Sequence, residues 1–359
     1  MKPKFEIIAE IGVNHNGCLN TAFDLVAKSK WAGADIVKFQ SFNPHLLSRI
    51  DTKKASYQIK NTGQKNSQFE MLQDLCLTKK QHLEIKALCD DLGIEFLSTA
   101  FDKNNLDFLV DIIGIKRIKI PSGEVTNLPL LAEYGRKGLQ MILSTGMATI
   151  NEVDNALSVL HYFFDFPKKR ITSRLAKDLI IDGYRSNAAH KITTILQCST
   201  EYPTQAKDIN LASMQTLSQT FKTKVGLSDH SQGIGAAICA SFFGASMIEK
   251  HITLDKSMPG PDHKSSLDPS EFKTMVIESR RAKFFKGSSQ KSPSKKELQN
   301  ADVIRRKIFF ARDVKKGKTV SPNDLILLRG SLGMPAAKYW EVLNSIAKRD
   351  FKKNEPFEI

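Results

Sequence analysis

The sequence predicts an α/β protein: a (β/α)8 (TIM) barrel followed by a small, mostly β domain. Three observations carry this. Eight short apolar runs recur along the chain, and each ends in charged or hydroxylated residues. Helix-period segments fall between several of them, as strand–helix repeats require. No G-x-G-x-x-G fingerprint follows the first run, which argues against an open doubly wound sheet.

The runs are F-E-I-I-A-E-I-G (5–12), D-I-V-K-F-Q-S-F (35–42), I-E-F-L-S-T-A-F-D (94–102) and R-I-K-I-P-S-G-E (117–124). They continue with Q-M-I-L-S-T-G-M (140–147), I-T-T-I-L-Q-C-S-T (192–200), K-V-G-L-S-D-H-S (224–231) and M-I-E-K-H-I-T-L (247–254). Residues 20–34 and 79–93 have helical period, and the second segment is bracketed by Thr78 as a cap and Gly93 as a stop. Two intervals are long. Residues 43–78 form a polar excursion suited to cap the barrel mouth, and 165–190 read as an insertion before the sixth strand. Domain limits follow: a barrel over 1–285, a Ser/Lys/Pro-rich linker over 286–302, and a small domain over 303–359.

Composition excludes several classes. The 359 residues are 41% apolar and 25% charged, the balance of a globular protein, and no apolar run is long enough to span a bilayer. Glu6 and Glu10 interrupt any signal-peptide pattern. Five cysteines without C-x-x-C spacing form neither a disulfide framework nor a zinc ribbon, and suit reduced thiols in the cytoplasm. The net charge of +15 raises nucleic-acid binding, but 17 Lys/Arg against 8 Asp/Glu beyond residue 285 place +9 of it in the last fifth. These charges are scattered, without aromatic-flanked clusters, so neither nucleic acid nor membrane is expected as a partner.

Strand alternation brings residues two apart to one face. It pairs Lys38 with Gln40, Ser228 with His230, and Glu249 with His251. If that face is the barrel interior, six polar groups meet at the mouth. His230 and His251 end neighbouring strands, and two imidazoles there suit one divalent ion of the Mn²⁺ or Mg²⁺ type with open positions. Two core histidines without metal are the plainer alternative. Lys38, Thr99, Lys119, Ser122 and Ser228 supply cations and hydroxyls suited to a phosphate or carboxylate. Glu10 and Glu124 offer general bases, or ion-pair partners for the lysines.

Nine motifs together resemble the N-acetylneuraminate (sialic acid) synthase family. They are A-E-I-G-V-N-H-N-G (9–17), K-F-Q (38–40), S-T-A-F-D (98–102), K-I-P-S-G-E (119–124) and S-T-G-M-A-T (144–149), followed by C-S-T-E-Y-P-T (198–204), G-L-S-D-H-S (226–231), E-K-H-I-T-L-D (249–255) and G-P-D-H (260–263). The last segment resembles that family's antifreeze-like (SAF) domain. The resemblance implies metal-dependent condensation of phosphoenolpyruvate with N-acetylmannosamine. Its alternative is the legionaminic acid branch, whose sugar is 2,4-diacetamido-2,4,6-trideoxymannose. It implies His230 and His251 as metal ligands, with Lys38, Thr99, Lys119, Ser122 and Ser228 on phosphoenolpyruvate. Glu10, Gln40, Tyr202 and Asp262 would lie near the amino sugar, Thr200 at the position where some members have asparagine, and Arg329 on the N-acetyl group. It also implies a homodimer with swapped C-terminal domains. The chain departs from the family at Arg329-Gly330-Ser331, where Arg-Pro-Gly is usual, and at Arg305-Arg306-Lys307, where Arg-Arg-Ser is usual. Two other classes compete: an aldolase using a Schiff base on Lys119, and a basic polysaccharide- or nucleic-acid-binding protein.

Overall fold

A computed structural model describes residues 5–63 and 66–358. Gln64 and Lys65 of the long polar excursion lie outside the described residues, as do residues 1–4 and Ile359. The eight apolar runs become eight strands: β1 Glu6–Gly12, β2 Ile36–Ser41, β3 Glu95–Ala100, β4 Arg117–Ile120, β5 Gln140–Ser144, β6 Thr193–Cys198, β7 Lys224–Asp229 and β8 Met247–His251. They pair in parallel and in sequence order, and β8 returns to β1 to close the barrel. The fold predicted from the sequence is the fold observed.

Alternation stacks the interior in layers. Ile8, Ile36, Leu97, Ile142, Leu196 and Met247 form a buried apolar plug. Their neighbours two residues on are Glu10, Lys38, Thr99, Ser144, Cys198 and Glu249, so polar groups begin one layer nearer the strand ends. Strand β7 meets the plug with Gly226. A Cβ there would come within 2.4 Å of the Met247 carbonyl oxygen and 2.7 Å of a Leu196 methyl, so only glycine lets β7 close in.

Helices cover the outside. The expected helix over 79–93 runs Lys79–Leu92: the Thr78 hydroxyl accepts from Gln81 N at 3.2 Å, and Gly93 ends it at φ 62°. Residues 165–190 form helix Ser173–Ile181 and the start of helix Asn187–Ile192. The first packs on the barrel helix Ile150–Asp165, where the buried Ser158 hydroxyl donates to the Leu179 carbonyl at 2.7 Å. The excursion folds into helices Pro44–Leu47, Ser56–Thr62 and Gln68–Leu75. Asn61, at the end of the second, donates to the carbonyls of Tyr202 (3.2 Å) and Pro261 (2.7 Å), which ties the excursion to the loops after β6 and β8.

The chain divides into two compact units, Met1–Lys286 and Gly287–Ile359. The second holds an antiparallel pair, β9 Arg306–Phe310 and β10 Leu325–Arg329, over a small core of Ile308, Phe310, Val314, Val320, Leu325 and Phe351. The stretch read as linker carries a helix, Lys295–Ile304. A capping box starts it: Glu297 N donates to the Ser294 hydroxyl, and Ser294 N donates to the Glu297 carboxylate at 2.7 Å. The S-K-K-E spacing was present in the sequence but obscured by the Ser/Lys-rich composition around it. All five cysteines are free, and no described helix is long and apolar enough to cross a membrane.

Candidate active site

A cavity of about 170 Å³ opens at the C-terminal ends of the strands. Parallel strands deliver one interior side chain each to this level, so groups remote in sequence meet here. Of the residues singled out from the sequence, Glu10, Lys38, Gln40, Thr99, Lys119 and Ser122 line it, with Thr200, Tyr202, Ser228, His230 and His251. The six polar groups expected to share an inner face all reach this cavity.

The charges interlock. Lys38 Nζ lies 2.6 Å from Glu10 Oε2 and donates to Thr99 Oγ1 at 3.1 Å. Lys119 Nζ lies 3.2 Å from Glu249 Oε1, which also accepts from the Ser228 hydroxyl at 2.9 Å. Glu249 Oε2 stands 3.9 Å from Lys38, so two lysines and two carboxylates form one buried cluster. Their environments separate the carboxylates. Burial, opposed by Lys38, raises Glu10 to about 7. Burial would raise Glu249 as well, but Lys119, Lys38 and the Ser228 hydroxyl overcome it and hold this carboxyl at about 2. These surroundings favour a charged Glu249 and make Glu10 the carboxyl that takes up a proton more readily.

Hydroxyls complete the polar wall. Gly146 N donates to Ser122 Oγ at 2.9 Å. A Cβ on Gly146 would meet Thr200 at 2.7 Å and Ser122 Oγ at 2.9 Å, so this glycine lets the two approach. Ser144 Oγ is buried and has no hydrogen-bond partner, which leaves it free for a ligand.

The two histidine rings stand 5.4 Å apart, centroid to centroid. His230 Nδ1 lies 2.5 Å from the Ser199 carbonyl oxygen. A carbonyl only accepts, so Nδ1 carries a hydrogen, which leaves Nε2 as the nitrogen that can offer a lone pair when the ring is neutral. Tyr202 stacks on this ring at 4.0 Å and is itself stacked by Tyr57 from the excursion at 5.0 Å. Burial, followed by the charges of His230 and Lys38, holds His251 well below 6.5, and its buried Nδ1 has no hydrogen-bond partner. Asp262 Oδ2 is 3.9 Å from that nitrogen. Two neighbouring imidazoles, one held neutral and with an unsatisfied nitrogen, fit a divalent ion. Among the described residues no three His, Cys, Asp or Glu side chains gather to enclose one. Such an ion would keep positions open for substrate and water.

Three expected residues stand outside this lining. Asp262, although 3.9 Å from His251, does not line the cavity. Glu124 does not line the cavity: β4 ends at Ile120, and Ser122–Glu124 form a 3-10 turn that breaks the alternation. Its carboxylate accepts from Asn127 Nδ2 at 2.6 Å instead. Arg329 is exposed at the end of β10, in the second unit. Glu249, Cys198, Ser144 and Phe101 line the cavity without having been assigned a role from the sequence. For Glu249 the E-K-H alternation was the available signal. Tyr57 and Asn61 had none, because nothing in the period of the excursion says where it folds.

Comparison with known proteins decides the family. Residues 25–291 match the NeuB family and residues 305–358 the SAF domain. The chain belongs to the NeuB family. It is 42% identical over 339 residues to N,N'-diacetyllegionaminic acid synthase of Legionella pneumophila, covering 94% of this chain and 89% of the relative. The synthase of the same name from Campylobacter jejuni is 40% identical over 349 residues, 97% of each chain. Among solved structures, the N-acetylneuraminic acid (sialic acid) synthetase of Leptospira borgpetersenii in complex with citrate superposes with a TM-score of 0.65 at 28% identity, covering 84% of this chain and 92% of that one. This NeuB chain is thus an enzyme of the N-acetylneuraminate synthase type.

Proposed function

We propose that this chain condenses phosphoenolpyruvate with 2,4-diacetamido-2,4,6-trideoxymannose, giving N,N'-diacetyllegionaminic acid and phosphate. The observation that carries this is the match, along nearly its whole length, to two synthases named for that acid, at 42% and 40% identity. N-acetylmannosamine, placed first from the motifs alone, becomes the second reading. Motifs common to the family do not separate its sugars, whereas identity over the whole chain weighs every position.

The site's residues suit the reaction. Lys119, Lys38 and the hydroxyls of Thr99, Ser122 and Ser228 bind the phosphate and carboxylate of phosphoenolpyruvate, with Ser144 as a further donor. Gln40, Tyr202, Thr200 and Asp262 bound the sugar, and Arg329 of the second unit contacts an N-acetyl group in a homodimer with exchanged small domains. His230 and His251 would hold a divalent ion, Mn²⁺ or Mg²⁺, which would supply Lewis-acid stabilisation of charge developing on the aldehyde oxygen. Carbon 3 of phosphoenolpyruvate attacks the aldehyde carbon, and water adds to the positive carbon 2. Glu10, titrating near neutrality, takes the proton of that water. Phosphate leaves by C–O cleavage, its charge met by Lys119, Lys38 and the hydroxyls.

The reaction class is tested by measuring phosphate released from phosphoenolpyruvate with and without sugar, after chelation, and after restoring Mn²⁺. Release that needs sugar and Mn²⁺ is expected. Sugar-dependent turnover that survives exhaustive chelation, with borohydride trapping substrate on Lys119, would establish the Schiff-base class instead.

A further inference from the structure

Strands β7 and β8 alternate between the cavity and the outer face of the barrel, so residues between the site's side chains point away from it. These are Asp229, between Ser228 and His230, and Lys250, between Glu249 and His251. Neither enters the chemistry above, yet their side chains are 1% and 0% exposed. Lys250 Nζ lies 2.9 Å from Asp229 Oδ2 and also donates to the Ser231 carbonyl. Asp229 Oδ1 accepts from Ser231 N at 2.8 Å and from the Ser231 hydroxyl at 2.7 Å.

As a source of stability such a pair is poor. Desolvation offsets most of the attraction, and apolar groups of similar volume often replace a buried ion pair without loss. Its geometry is specific, however. It ties the last residue of β7 and the turn after it to β8, one residue before His251. From the β6 side, Thr204 N donates to the His230 carbonyl at 2.9 Å, and the Ser199 carbonyl holds the His230 ring at 2.5 Å. The His230 backbone is thus fixed on both sides, and towards His251 the Asp229–Lys250 pair reinforces the parallel β7–β8 ladder, in which the two residues stand opposite each other.

We propose that Asp229 and Lys250 are positioning residues that set the separation of the His230 and His251 rings, and with it the affinity of that pair for a divalent cation. This rests on the metal reading given under Proposed function. Groups hydrogen-bonded to metal ligands change metal affinity or activity by about 10–100-fold when removed, and a pair that sets the ligands' backbone separation is expected to act on that scale.

The test titrates substrate-free protein with Mn²⁺ by calorimetry, comparing the unaltered chain, His230→Ala, Asp229→Asn, and the double variant Asp229→Asn/Lys250→Met. The double variant removes both charges together, so no unpaired buried charge is left to unfold the barrel. Asp229→Asn is isosteric and gives a graded step. Circular dichroism checks folding. The inference expects folded variants that bind Mn²⁺ more weakly, by about 10–100-fold for the double variant. It also expects the KM for phosphoenolpyruvate to be nearly unchanged once Mn²⁺ saturates. A folded double variant, or folded Asp229→Asn, with unaltered Mn²⁺ affinity overturns the positioning role and leaves the metal reading standing. An unaltered chain that binds no Mn²⁺, or a His230→Ala variant that binds it equally well, overturns the metal reading and this inference with it.

Discussion

Glu10 and Glu249 occupy the same layer of one cavity, and their neighbours give them opposite tasks. Lys119 at 3.2 Å and the Ser228 hydroxyl at 2.9 Å keep Glu249 charged, whereas burial keeps Glu10 near its switching point. Replacing Glu10 by Gln keeps the shape and removes the base. We expect kcat to fall by about 10²–10⁴-fold by steady-state kinetics, and a melting curve to show lower stability too, because Lys38 loses its partner at 2.6 Å. Glu249→Gln strips two buried lysines of their shared counter-charge. It should lower stability by about 3–5 kcal/mol as well as activity, read from urea unfolding. The inward positions of both carboxylates were legible in the strand alternation. Their pairing was not, because the sequence does not say which lysine each meets across the barrel. Glu124 shows where such reading ends: the run was taken to residue 124, four residues past the end of β4, where a 3-10 turn had already redirected the chain.

At the scale of elements, runs and caps were readable because their causes are local. Thr78 and Gly93 bracket their helix as expected, and the eight runs become eight strands. Closure of the barrel also depends on Gly226, whose need for a missing side chain becomes visible only against Met247 and Leu196. Gly226→Ala should destabilise the protein by about 1–3 kcal/mol, as overpacking of a filled interior does, and chemical denaturation will report it. In the second unit the fully buried Asp324 carboxylate accepts from Arg312 (2.6 Å), Lys318 (2.7 Å), Ser321 N (2.9 Å) and the Ser321 hydroxyl (2.6 Å). Burial alone would raise it, but these donors hold it well below the usual carboxylate range. A carboxyl lowered on folding stabilises the folded state above its unfolded value of about 3.9, and that contribution fades as pH falls below it. The second unit should therefore lose stability below about pH 4, and Asp324→Asn should flatten that part of a pH-melting profile.

For the whole molecule, the order of nine motifs pointed to the family, while composition alone pointed only to a globular protein with a basic C-terminal part. The sugar was not legible, since the family's motifs lie where its members perform the same chemistry. The folds of the polar excursion and of residues 165–190 were not legible either, because they depend on contacts with distant loops and helices. A swapped homodimer predicts a particle of about 80 kDa, twice the 40.2 kDa chain, in sedimentation. A 40.2 kDa particle at working concentration would remove that part of the account. The central claim is tested most directly by kcat/KM for 2,4-diacetamido-2,4,6-trideoxymannose against N-acetylmannosamine, at saturating phosphoenolpyruvate and Mn²⁺. A clear preference for the trideoxy sugar is expected, with product of the mass of N,N'-diacetyllegionaminic acid. Turnover of N-acetylmannosamine alone would contradict it.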